Sequence, residues 1–110
     1  MIDQEIALSM LMHNQKIYHN LLRRFYDNYR EYPEKLKDLY FKEDEEFYKI
    51  VHNIKGISLN LGACKLFEIS DLINKAYKQY NKIDNIEIVN ELLIELELVL
   101  NEIKEIINGR

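Results

Sequence analysis

Cys64 is the only cysteine among 110 residues, so the chain cannot close a disulfide on itself. Proline is limited to Pro33 and glycine to three positions, and no Ser- or Gly-rich run occurs, which argues against a linker or a disordered tract. No uninterrupted apolar run approaches the roughly 20 residues that cross a bilayer, and no membrane contact is expected. Positive charge is not in excess: 15 Lys and Arg stand against 19 Asp and Glu, a formal net charge of −4. Nucleic-acid binding needs a concentrated basic footprint, so no such partner is expected either. The N-terminus lacks the basic-then-apolar order of a secretion signal, and a reducing cytoplasm is the expected location. There is no G-x-x-x-x-G-K-[ST] loop, no glycine-rich ATP lid and no acidic pocket motif for magnesium. The chain therefore carries no machinery of its own for taking phosphate from ATP.

What is present is a 47% share of hydrophobic residues, enough to fill one compact core, and residues 1–110 read as a single domain. Leu, Ile, Lys and Glu dominate and no segment alternates with period two, so the fold class is all-α. A short first helix is expected from about Asp3 to Met12, with Asp3 as its cap and Ile6 and Met10 one turn apart, too short to stand alone. Tyr18, Leu22, Phe25, Tyr29, Tyr32, Leu36 and Leu39 recur in steps of four and three. That phase is kept across Pro33, which predicts one long kinked helix from near Asn14 to near Phe41. The acidic cluster Glu43 to Glu46 suits the positive end of a third helix. Its seam is Phe47, Val51, Ile54, Ser58 and Leu61, and Gly62 fits the left-handed residue that ends it. A fourth helix is expected from about Cys64 to Asn81, with Leu66, Ser70, Ile73, Tyr77 and Tyr80 inward. The last, near Ile86 to Ile107, carries Val89, Leu92, Leu96, Val99, Ile103 and Ile106 in the same rhythm. Short connections predict an antiparallel up-and-down four-helix bundle with the short first helix packed at one end.

The stretch "HNIKGISLNLGA", His52 to Ala63, stands out within that pattern. With the seam inward, His52 lies about 100° from Val51 around the helix and faces solvent. Its neighbours at three and four residues are Tyr48, Lys49, Lys55 and Gly56, so two cations flank the imidazole. A neutral ring nitrogen is a good nucleophile toward phosphorus, and a nearby ammonium stabilises the charge that a phosphoryl group adds. A glycine in mid-helix costs roughly 1 kcal/mol relative to alanine. At Gly56 the missing side chain would let another protein approach the ring.

His52, Ile54, Lys55, Gly56, Ser58, Gly62 and Ala63 together resemble the signature of the histidine phosphotransfer family, in which H-x-[IL]-K-G-x-[SA] is followed by a Gly-Ala pair. The resemblance covers essentially the whole chain, since that family is an antiparallel four-helix bundle with a long, often proline-bearing helix before the histidine helix. It implies that His52 is phosphorylated, that Lys55 contacts the phosphoryl group and that Gly56 opens the docking surface. Family members often carry a Gln or Glu on the following helix that bonds the other ring nitrogen; the matching position is Asn74. Asparagine is shorter, and water, Lys75 or a plain surface role for Asn74 are the alternatives. The resemblance further implies a monomeric phosphocarrier rather than an enzyme. It would bind no cofactor of its own and exchange phosphate with response-regulator receiver domains, which bring Mg²⁺, and with a hybrid sensor histidine kinase.

Other readings compete with this one. His13 and His19 are six apart and fall on different helical faces, so with Cys64 they make a poor metal set. Cys64 lacks a partnering histidine motif and reads as a small residue at a helix start, and most of the eight tyrosines read as core and rim. Ile94 and Leu98 leave the main seam of the last helix and would serve a helical adaptor or dimerisation module. A receiver-binding protein that carries no phosphate is the remaining alternative.

Overall fold

The computed structural model describes residues 2–109, and among them the fold is all-α and bundle-like, with six helices and no strand. The first, α1, spans Gln4–Met10, and the Asp3 carboxylate accepts the Ile6 N–H at 3.1 Å as its cap. Ile6 and Met10, one turn apart, are both exposed, and Ala7 is the buried residue. The methyl side chain lets this short helix lie against α4 (Glu46–Leu61) and α2 (Gln15–Tyr29), while Ile2 just ahead of it supplies the larger apolar anchor.

The expected single helix across Pro33 is two helices, α2 and α3 (Tyr32–Phe41). Proline has no N–H for the Tyr29 carbonyl, and here it sits in the first turn of α3, where that donor is not needed. The interruption is slight. Arg30 stays helical at φ −58° and ψ −25°, and Glu31 at φ −102° and ψ 2° departs only modestly. The apolar spacing therefore keeps its phase although the hydrogen-bond ladder breaks, and Tyr18, Leu22, Phe25 and Leu36 are all buried.

The seam of α4 is buried as expected, with Ile50 added to Phe47, Val51, Ile54, Ser58 and Leu61. Asp44 accepts the Glu46 N–H at 2.9 Å at its start. Gly62 ends it at φ 82°, and the Gly62 and Ala63 N–H groups return to the Leu59 and Ser58 carbonyls. The same turn holds the N-terminal arm: Asp3 N–H donates to the Gly62 carbonyl at 2.8 Å, and Tyr18 Oη donates to the Leu61 carbonyl at 2.9 Å. α5 spans Cys64–Tyr80 and α6 spans Ile86–Asn108. Tyr80 is exposed rather than inward, because α5 ends there at the left-handed Asn81. Ile83 from the connection is buried instead, accepting from Tyr40 Oη at 2.7 Å through its carbonyl and donating its N–H to Tyr48 Oη at 2.9 Å.

The six expected core positions of α6 are all buried, joined by Leu100 and Glu95. At 1.5 Å per residue this helix of 23 residues is about 35 Å long, close to the 40 Å long dimension of the molecule, so it forms a spine for the others. α4 packs chiefly on α5, α5 on α6, and α6 on α2 and α3, which also meet α4. Each fully buried Leu, Ile or Phe in the shared core contributes about 1.5–3 kcal/mol of transfer free energy. The consequence for function is a firm α4–α5 pair whose outer edge displays the residues around His52. None of the described helices is long and apolar enough to cross a membrane.

Candidate functional site

Because the seam of α4 is turned inward, His52 on the opposite side is exposed, and its ring has no hydrogen bond or ion pair among the described residues. It opens onto a groove of about 520 Å³ between α4 and α5. Tyr48, Lys49, His52 and Asn53 line one wall, and Asn74, Tyr77 and Lys78 the other. The rings of Tyr48 and Tyr77 stack across it, with centroids 4.1 Å apart and planes 16° from parallel. Burial, reinforced by the Glu45 carboxylate that accepts from Tyr77 Oη, holds the Tyr77 phenol above its ordinary pKa. Tyr77 is therefore a neutral stacking partner at physiological pH.

Asn74 shares the groove with His52 and is only 6% exposed, which removes the plain-surface reading of that residue. Its Nδ2 atom is buried and meets no acceptor within the described residues. An unpaired buried donor costs about 1–3 kcal/mol, and this one is shielded from solvent rather than open to a group entering the groove. Lys75 is not turned to that purpose. Its Nζ lies 2.9 Å from Asp71 Oδ2 on its own helix.

The two lysines beside His52 part company. Lys49 lines the groove, whereas Lys55 reaches α5, with its Nζ 2.9 Å from Asp71 Oδ1 and 5.9 Å from the centre of the Phe67 ring. Hydrogen bonds from Lys75 and then Lys55 hold the Asp71 carboxyl below its ordinary pKa. Gly56, one turn beyond His52, is exposed, and a Cβ built there would meet nothing within 4 Å. This stretch of α4 is thus a bare ledge beside the ring.

Tyr77, expected on the inward line of its helix, belongs to the neighbourhood with Lys78, Asn53 and Asp71, and none of the four was read from the sequence as a site residue. Three of them come from α5, and their nearness to His52 depends on how the two helices pair. The only local clue was Asp71 four residues before Lys75, an ordinary helical ion-pair spacing. A second cleft, of about 460 Å³, shares Tyr48 but is lined elsewhere by Tyr40, Phe41, Asp44 and Asp84, without a histidine. Among the described residues no group of three or more His, Cys, Asp or Glu is placed to hold a metal ion. No family model, curated protein or solved structure matches the chain.

Proposed function

We propose that the protein is a histidine phosphocarrier that exchanges a phosphoryl group between His52 and the aspartate of response-regulator receiver domains. The observation that carries this reading is an exposed imidazole, without a partner among the described residues, in an open groove beside a glycine ledge where a side chain would otherwise stand. In the forward step a ring nitrogen attacks phosphorus, an N–P bond forms, and the P–O bond to the receiver aspartate breaks to release its carboxylate. The reverse step returns the phosphoryl group, with His52 as leaving group. The receiver's acidic residues hold the Mg²⁺ that the transfer uses. Lys49 and Lys78 give the groove positive charge for the phosphoryl oxygens, and Asn74, which shares the groove with His52, is the candidate partner for the imidazole. The helix packing supports the antiparallel four-helix bundle of that family, with α2 and α3 acting together as one arm and α1 as an added piece.

The test is to incubate the purified protein with phosphorylated receiver domains from its own genome. Acid-labile label should appear on the parent and be lost in His52→Ala. A folded parent that takes label from no receiver would remove the proposal. One observation favours a second reading, a helical adaptor or dimerisation module: Ile94 and Leu98 are 60% and 53% exposed, one turn apart on α6. Dimerisation through α6, together with absence of phosphate on His52, would favour that reading.

A further inference from the structure

Lys55 and Asp71 join the two helices at the edge of the groove, with side chains only 28% and 21% exposed. Asp71 is not a simple partner. Each of its oxygens takes a different ammonium at 2.9 Å, Lys55 from α4 on Oδ1 and Lys75 from its own helix on Oδ2. Lys55 also lies one turn from His52 on the same helix, so its four-carbon stem can serve either Asp71 or a group on the imidazole. A phosphoryl group brings about −1.5 to −2 charges where the carboxylate brings one. Partly exposed pairs of this kind are weak enough to exchange. When Lys55 leaves, Lys75 remains on the carboxylate, so Asp71 is never left without a counterion.

We propose that Asp71 is a positioning residue that holds Lys55 in reserve and yields it to the phosphoryl group on His52 while keeping Lys75. This rests on the phosphocarrier reading of His52 and adds a control on it: the strength of the Asp71 grip sets how readily Lys55 serves the phosphohistidine. The two contacts of Asp71 therefore act in opposite directions. Removing the carboxylate charge frees Lys55, whereas removing Lys75 concentrates the carboxylate on Lys55.

The experiment follows phosphohistidine lifetime after labelling with phosphoramidate, whose P–N bond breaks with loss of ammonia as the bond to the ring forms. Asp71→Asn should lengthen the lifetime about two- to fivefold, the range set by the modest strength of partly exposed ion pairs. Lys75→Ala should shorten it by a similar factor. Both effects should vanish when combined with Lys55→Met, since Asp71 acts only through Lys55. A mere staple between α4 and α5 would alter thermal stability without opposite effects on lifetime. Asp71→Asn or Lys75→Ala lifetimes equal to the parent's, or effects that persist without Lys55, overturn the proposal and leave the His52 reading standing. A folded parent that takes no label from phosphoramidate or from any receiver ends both. Lys75 is a surface residue, so Lys75→Ala remains informative even if Asp71→Asn loosens the helix pair.

Discussion

Gly56→Leu separates what the ring does from what must reach it. Gly56 lies within α4, away from the helix ends, with open space where a Cβ would stand, so the substitution meets no clash. Replacing a mid-helix glycine by a good helix former stabilises by a large part of roughly 1 kcal/mol. For a domain of this size that raises the melting temperature by roughly 4 °C. The same leucine would project beside His52 and block the close approach of a folded partner. Two donors are compared on one preparation: a phosphorylated receiver, which must dock, and phosphoramidate, which need not. The expected outcome is a raised melting temperature, transfer from the receiver reduced by orders of magnitude, and labelling by phosphoramidate as in the parent. Unchanged receiver transfer would refute the docking role of Gly56. Loss of labelling by both donors in a folded protein would mean that the glycine shapes the ring's own surroundings.

Lys55→Ala should slow transfer or shorten phosphohistidine lifetime without abolishing labelling, measured by timed acid quench; rates and lifetimes equal to the parent's would remove Lys55 from the mechanism. Gly62→Ala should destabilise by about 2 kcal/mol or more by chemical denaturation, because φ 82° disfavours a side chain and the new Cβ would strike the Asp3 carbonyl; a smaller loss would mean that the N-terminal arm yields freely. Tyr18 bears on alkaline stability. Burial, then the Glu102 and Asp3 carboxylates, push its phenol from 10.0 up to about 12. The folded state thus keeps a proton that the unfolded chain gives up, so the contribution is intact below pH 10 and is lost as pH rises toward 12. Tyr18→Phe should cost about 1 kcal/mol at neutral pH by leaving the Leu61 carbonyl unpaired. It should also flatten the fall in stability across that alkaline window, with Tyr29 and Tyr40, whose phenols are likewise raised by burial, sustaining part of the slope. Parallel pH curves for the variant and the parent would contradict this.

The seams of α4 and α6 were legible in the sequence because each position recurs at three or four residues and each proved buried. The caps Asp3 and Gly62 were legible for local reasons as well, since one side-chain oxygen or one left-handed residue is enough to mark a helix end. The break at Pro33 was not, because Arg30 and Glu31 keep nearly helical angles and so preserve the very periodicity used to judge continuity. Which residue of α1 would be buried was not legible, because a short helix can pack through a single alanine. The exposure of His52 and the openness at Gly56 followed from the helical wheel. The burial of Asn74, the entry of Lys78 into the groove and the diversion of Lys55 to Asp71 did not. Each depends on the pairing of α4 with α5, which no local pattern encodes.

The most direct test of the account is to locate the phosphate. After labelling by a phosphorylated receiver, the protein is digested at neutral pH or above, where phosphohistidine survives, and the modified peptide is sequenced by mass spectrometry. The chain has three histidines, His13, His19 and His52, so the site can be assigned without ambiguity. The account predicts acid-labile phosphate on His52 alone, absent from a folded His52→Ala variant. Phosphate on His13 or His19, acid-stable phosphate elsewhere, or no phosphate on a folded parent with any receiver of its genome would contradict it.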